Sequence, residues 1–355
     1  MITLHDVARA AEVSVGTASK VLRHGAEHYR ISENCRERVL AASRKLGYRP
    51  NHLARSLQSG RGYAIGSLAG SLTQSLENAH LWGVMNAGMT AAALDHGYQL
   101  VTLGARRGQS PIQSGLEALD ERRIDGLVVP PFSLTPPLVK QLEARQAPIV
   151  LMAYPKPTQL PVVEVDDTIG VACVVEHLSA LGHTRFLWVG PGDTRDYYET
   201  RRRKAFQVAM DARGFKAEMI GVGYSLSRLT KKEDQIEAVW AKFRSLPGGG
   251  LQKATAVVAY NEAAALGVYA LAAERGIRIP EDLSVAGFDD FYAAVAWPPM
   301  TAVSLMMDKL GALAVEMILE MFNDPTGWSN LRGSRRRISC ELIIRKSTGP
   351  LSPRP

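Results

Sequence analysis

From Ala64 onward, short apolar runs alternate with helical stretches, and this rhythm restricts the fold more than any other feature of the chain. The runs are AIGSLA (64–69), YQLVTLG (98–104), GLVVP (126–130), IVLMA (149–153), VVEVD (162–166), RFLWVG (185–190), AVVAY (256–260) and LSVAGF (283–288). Between most of them lie segments with helical patterning, such as Trp82–His96, Thr168–Leu181, Thr200–Arg213 and Glu262–Arg275. Strands that alternate with helices build parallel sheets covered by helices on both faces. With the later runs TAVSL (301–305) and RISCELIIR (337–345), there are too many strands for one modest sheet, so two similar lobes are expected. Ligands of open α/β sheets bind outside the carboxyl ends of the strands, which between two facing lobes means a cleft.

The first sixty residues follow another pattern. Thr3 is a good N-cap, and Leu4, Val7, Ala8 and Ala11 form one apolar stripe of a short helix. Ser14 caps a second helix to about Leu22, with Ala18, Val21 and Leu22 on its buried side. A break at Arg23–Ile31 precedes Ser32, which caps a third helix that ends near Leu46 at Gly47, with Val39, Leu40 and Leu46 inward. Two short helices with a tight turn and a third to close the core describe a helix-turn-helix. The outer side of the second helix carries Val15, Gly16 and Ser19, small enough to enter a DNA groove. A three-helix bundle with no ligand fits the same pattern. Asn51–Gln58 then spans one or two turns with no core of its own, before a flexible join at Gly60 and Gly62.

Charge separates these parts. Residues 1–61 hold eleven Lys/Arg against five Asp/Glu, a surplus of +6 out of +7 for the whole chain. A basic head on a near-neutral body fits a polyanion-binding module attached to a separate domain, although a solubilising head would also be basic. Cys35, Cys173 and Cys340 match no zinc or redox spacing, and a reduced cytoplasmic compartment suits them. The N-terminal MITLHDVARA lacks the apolar core of a secretory signal, and no run approaches the ~20 apolar residues of a membrane helix.

Common enzyme signatures are missing from the body: no glycine-rich dinucleotide fingerprint, Walker loop, nucleophile elbow or zinc-protease helix. No catalytic residue, cofactor or metal is therefore expected. His177 and His183, at a helix end, read as capping or solvated. Asp166–Asp167 and Asp289–Asp290, at strand ends, read as helix caps or ligands for hydroxyls.

The stretches TLHDVARAAEVSVGTASKVL and RERVLAASRKLGYRPNHLARSL resemble the headpiece and hinge of the lactose/galactose-repressor (LacI/GalR) family of bacterial regulators. IDGLVVPP (124–131), VVEVDDTIG (162–170), EHLSALGHTR (176–185), AVVAYNEAAALG (256–267), IPEDLSVAGFDD (279–290) and PPMTAVSL (298–305) continue that resemblance in order, over roughly residues 2–348. It implies an α/β protein with an all-α helix-turn-helix headpiece at 1–50, a hinge helix at 51–62, a two-lobed periplasmic-binding-protein-like core at 63–348 and a tail at 349–355. It also implies a homodimer or higher oligomer, double-stranded operator DNA and a small-molecule effector of the sugar type as partners. The expected function is transcription regulation in the bacterial cytoplasm, as a repressor, rather than enzymology. Departures are Glu12 where the turn usually has Gly, a longer loop at Arg23–Arg30, SLTQSLE in the first pocket segment, and Ala153–Tyr154 where many members have Asp.

The resemblance also assigns roles. Val15, Gly16 and Lys20 face the major groove, and of these only Lys20 is a strong donor for a guanine edge. Ser14, Thr17, Ser19, Arg23, Tyr48 and Asn51 approach the phosphates, and Thr3 is counted with the DNA-binding residues. Leu57, with Arg55 beside it, matches an apolar wedge in the minor groove, with a linker leucine packed on the core as the alternative. For the effector, the resemblance offers Ser71, Tyr154, Arg202, Tyr224, Asn261, Asp289 and Trp297. Arg201 and Arg203 read as solvated neighbours of Arg202, and Trp297 reads equally well as a core tryptophan. Two rivals share parts of this pattern. A transport-type solute-binding protein has the same core but needs export, and an enzyme on the same scaffold needs a nucleophile and base that the sequence does not display.

Overall fold

The computed structural model describes all residues except 1, 25–30, 50–55, 57–58, 70–75, 105–108, 132–133, 193–196, 223–231, 247–249, 252–253, 325–328 and 352–355. The chain divides into two compact units, Met1–Tyr63 and Ala64–Pro355.

The first unit holds α1 (Leu4–Ala10), α2 (Val15–His24) and α3 (Glu33–Leu46). Thr3 and Asp6 form a reciprocal capping box at α1, and the Ser32 hydroxyl accepts from the Cys35 amide at the start of α3. Gly47 ends α3 at φ 63°, where the lack of a Cβ permits left-handed backbone. Glu12 takes the corresponding place after α1 at φ 52°. Its amide donates to Arg9 and that of Val13 to Ala8, so the turn keeps its left-handed geometry on a residue with a side chain. Val7, Ala8, Ala11, Ala18, Val21, Val39 and Ala42 form the core, with Leu40, Leu46 and Tyr48 packed on it.

The second unit contains two six-stranded sheets. The first has the order β11-β5-β4-β3-β1-β2 and the second β12-β10-β9-β8-β6-β7. The strands are β1 (Ala64–Leu68), β2 (Gln99–Leu103), β3 (Gly126–Val129), β4 (Ile149–Met152), β5 (Val162–Asp166), β6 (Arg185–Gly190), β7 (Lys216–Gly221), β8 (Ala256–Ala259), β9 (Ser284–Asp289), β10 (Thr301–Ser304), β11 (Arg335–Ser339) and β12 (Glu341–Ile343). All pairings are parallel except β10 with β12. β1, β3, β4 and β8 are buried throughout, as strands covered on both faces must be, and this is why they read as unbroken apolar runs.

The helices are α4 (Leu76–Asp95), α5 (Pro111–Asp120), α6 (Pro136–Glu143), α7 (Asp167–Ala180), α8 (Tyr197–Asp211), α9 (Lys232–Ser245), α10 (Glu262–Glu274) and α11 (Met307–Asn323). α7 and α11 carry the chain between the sheets. α4 and α11 touch backbone to backbone: a Cβ on Gly88 would lie 1.8 Å from the Asp308 carbonyl oxygen, and one on Gly311 2.1 Å from that of Met85.

Two expectations change. RISCELIIR is not one strand: β11 lies beside β5 in the first sheet and β12 beside β10 in the second, with Cys340 at the crossing. The Cys340 thiol is buried there, donates to the Asp166 carbonyl, and is pushed up to about 11 by that burial. The edge strand β7 had no apolar run to announce it, because KAEMIG keeps its side chains largely exposed. Among the described residues no helix is long and apolar enough to cross a membrane.

Candidate functional site

Two surfaces hold several of the residues singled out in the sequence. In the first unit, the Ser14 hydroxyl accepts from the Thr17 amide (3.1 Å) and pairs with the Thr17 hydroxyl (2.8 Å), which sets the start of α2. Gly16 and Lys20 are exposed, Ser19 is half-buried, and Val15 and Tyr48 rest partly on the core. Thr3 donates its hydroxyl to Asp6 (2.7 Å), and that bond leads the causes that hold the Asp6 carboxyl below its usual range. Asn51, Arg55, Leu57 and the Arg23 side chain lie outside the described residues.

The second surface lies at the carboxyl ends of β5, β8 and β9. Arg202, on α8, is 5% exposed. Its Nε donates to Asp167 (2.8 Å) and its Nη1 to the Tyr260 carbonyl (2.7 Å), and Asp289 stands 3.9 Å from it. The guanidinium also lies over the Phe288 ring at 4.5 Å and the Tyr260 ring at 5.2 Å. Burial by itself would ease its deprotonation, but Asp167 and then Asp289 outweigh that, so Arg202 is held more firmly charged than usual.

Asp167 is almost fully buried and serves two arginines, since Arg201 Nε also donates to it (2.6 Å). Arg201 further donates to the Val165 carbonyl (2.5 Å) on β5, and the Tyr198 hydroxyl donates to the Ala153 carbonyl (2.8 Å) after β4. α8 packs with the second sheet, so these bonds join it to the first. Arg201 is therefore a buried partner and not a solvated neighbour; Arg203 is also partnered, 3.7 Å from buried Glu199. Asp166 takes the Thr168 hydroxyl and makes no side-chain cap.

A cavity of about 210 Å³ opens at the same corner, with His80 and Val84 of α4, Asp289, Asp290, Leu305 and Met307 among its walls. His80 meets the Phe291 ring edge-on at 4.8 Å. Asp289 thus belongs both to the cavity and to the Arg202 cluster.

Other expected site residues sit elsewhere or are already engaged. Asn261 caps α10, accepting from the Ala264 amide (2.8 Å) and donating to Gln235 (3.2 Å). Tyr154 is 5% exposed and packs in the apolar core of the first sheet. Trp297 is 89% exposed, so it is no core tryptophan. Ser71 and Tyr224 lie outside the described residues. His177 and His183 are neither caps nor solvated: they bond Thr348 (2.9 Å) and Gly349 (3.1 Å), fastening the C-terminal segment. Asp167 and Arg201 were not assigned from sequence, although the doubled aspartate and doubled arginine were visible signals.

Known proteins share the fold. Residues 3–51 match the model of bacterial regulatory proteins of the lacI family, and residues 175–348 that of a periplasmic binding protein-like domain. An uncharacterized helix-turn-helix transcriptional regulator of Streptomyces limosus is 32% identical over 366 residues, covering 99% of this chain and 95% of that one. The ribose operon repressor of Escherichia coli is 28% identical, covering 98% of this chain and all of that one. A lac repressor dimer bound to operator and anti-inducer shares the fold with a TM-score of 0.69 at 24% identity, over 98% of this chain and 99% of that one. A regulator solved with cellobiose shares it at 0.62 and 22%, over 98% and 100%. A capped helix-turn-helix, two parallel sheets and relatives matched over nearly their full length lead to one conclusion: the chain belongs to the lacI family of bacterial regulatory proteins.

Proposed function

We propose that this protein is a cytoplasmic transcription repressor, and no enzyme, whose affinity for a palindromic operator is set by a small molecule of the sugar class in the cleft between its two sheets. The observation that carries the sensing half is the Arg202 cluster: a fixed cation and the Asp289 carboxylate at strand ends, beside an open cavity. A fixed donor and an acceptor that converge in this way suit the hydroxyls of a polyol. The relatives named for a ribose operon and solved with cellobiose support the same ligand class.

For DNA, α2 enters the major groove with Val15, Gly16 and Lys20 toward the bases. Ser14, Thr17, Ser19, Arg23, Tyr48, Asn51 and Thr3 approach the phosphates, and Leu57 beside Arg55 wedges the minor groove. The basic surplus of residues 1–61 supplies the electrostatic part of affinity. The working unit is a homodimer, as in the lac repressor structure, and two half-sites follow from two-fold symmetry. Val295 and Trp297, 81% and 89% exposed, are read as apolar surface for the second copy instead of a pocket wall.

Calorimetry with D-ribose and with cellobiose, followed by DNA titration with and without the sugar that binds, tests the reading. A sugar-dependent change in DNA affinity is expected, and Asp289→Ala should abolish it. Normal sugar binding by Asp289→Ala would place the pocket elsewhere.

A further inference from the structure

Two consecutive residues with side chains, Asp289 (φ 94°) and Asp290 (φ 62°), hold left-handed backbone where β9 ends. Strained backbone of this kind persists only where the surroundings over-determine it, and it concentrates at functional sites. Among the described residues, Glu262 and Arg345 hold this corner. Glu262, fully buried in the first turn of α10, accepts the amide hydrogens of both Phe291 and Tyr292 on Oε2, each at 2.8 Å. From another side, Arg345 pairs with Asp290 at 2.6 Å and is itself fixed to the Met300 carbonyl at 2.8 Å. The chain is thus pinned immediately after the strained pair. The result is an Asp289 carboxylate 3.9 Å from Arg202 and in the cavity wall.

An acidic residue in a first helical turn often serves the helix alone. Glu262 is different, because Asn261 already caps α10 through the Ala264 amide, and the Glu262 carboxylate is spent on a loop 29 and 30 residues away. Nor does Glu262 line the cavity.

We propose that Glu262 is a positioning residue of the effector site, acting through the Phe291 and Tyr292 amides to fix the corner that aims Asp289. The inference rests on the reading of this cleft as the effector site. Reach and acceptor number are both specified: aspartate is one methylene too short to meet the two amides, whereas glutamine keeps a carbonyl oxygen at the same distance.

Amide hydrogen exchange on the full-length protein tests the clamp without any ligand. In Glu262→Ala and Glu262→Asp, exchange at Phe291 and Tyr292 should quicken about tenfold or more, while α11 and the first sheet keep their protection. Glu262→Gln should stay within a few-fold of the parent. A purely structural role predicts loosening of α10 and β9 throughout with no rescue by Gln, and either that pattern or unchanged exchange in Glu262→Ala overturns the proposal. Calorimetry with D-ribose and cellobiose forms the second arm. Affinity for whichever sugar the parent binds should fall at least tenfold in Glu262→Ala and be retained in Glu262→Gln; unaltered affinity in Glu262→Ala also overturns the proposal. A parent that binds neither sugar counts against the sugar reading, while the exchange result still decides the clamp.

Discussion

Asp167 and Arg202 meet at 2.8 Å with both side chains almost wholly withdrawn from water, and Arg201 takes the other oxygen of the same carboxylate. One residue therefore orients the cation of the cleft and a bond to the Val165 carbonyl in the first sheet. Removing one member of a buried ion pair leaves the other charge unpaired, at a cost of about 3–5 kcal/mol. Asp167→Ala should destabilise the second unit by about that amount. Asp167→Asn should cost less and still lose ligand affinity, because Arg202 is no longer aimed. Denaturant titration with ligand calorimetry measures both, and a Asp167→Ala protein as stable as the parent would refute the arrangement.

Glu12 holds φ 52° at a place where glycine has no steric penalty. Relief of that strain exceeds the added unfolded-state entropy of glycine, so Glu12→Gly should stabilise the first unit by about 0.5–1 kcal/mol. The ion pair lost with Arg38, 3.7 Å away and exposed, contributes little. Thermal melting of the headpiece checks this; a lower melting temperature contradicts it.

Gly16 presents the opposite case. Among the described residues a Cβ there would find only the Ser14 Oγ, at 3.8 Å, so they do not require glycine. Gly16→Ala should raise headpiece stability by about 0.5–1 kcal/mol while weakening operator binding, since the added methyl stands between helix and groove. Melting and DNA titration on one preparation separate the two effects. Undiminished binding would show that close approach at residue 16 is not needed.

Burial holds both His177 and His183 below the usual imidazole value of 6.5; at His183 the Gly349 carbonyl opposes it in part and His177 reinforces it. The unfolded chain takes up protons near pH 6.5 that the folded chain refuses. The stability these rings contribute is thus present above about pH 6.5 and is lost as pH falls toward the folded values. Melting temperature should drop between pH 7 and 5.5, and His183→Gln should flatten that drop. Equal slopes in the two proteins would contradict the assignment.

The sequence displayed some of this more openly than the rest, for physical reasons. Strands buried on both faces left unbroken apolar runs, and the helix caps Thr3, Ser32 and Gly47 stand beside the stripes they bound. β7 escaped notice because an edge strand is polar, and β11 and β12 read as one because nothing in the residues marks a change of sheet at Cys340. Arg202 and Asp289 were named through motifs, but the meeting of Arg202 with Asp167 spans 35 residues of sequence and depends on how α7 crosses between the sheets. Tyr154 and Trp297 were both offered for the effector, yet one is buried and the other exposed, which excludes the alternative of a core tryptophan at 297. Large amphipathic rings suit either place, so residue type alone does not decide.

Selection of binding sites from a random duplex library by the full-length protein shows whether α2 reads a two-fold symmetric DNA sequence. An enriched palindrome is expected, with half-sites spaced about one helical turn apart and bound less tightly as salt rises. Lys20→Ala should lose discrimination at one base pair per half-site, by about 1–3 kcal/mol, while the remaining positions keep theirs. No enriched sequence, or one without two-fold symmetry, would contradict the account, and uniform weakening by Lys20→Ala would contradict its base-reading role.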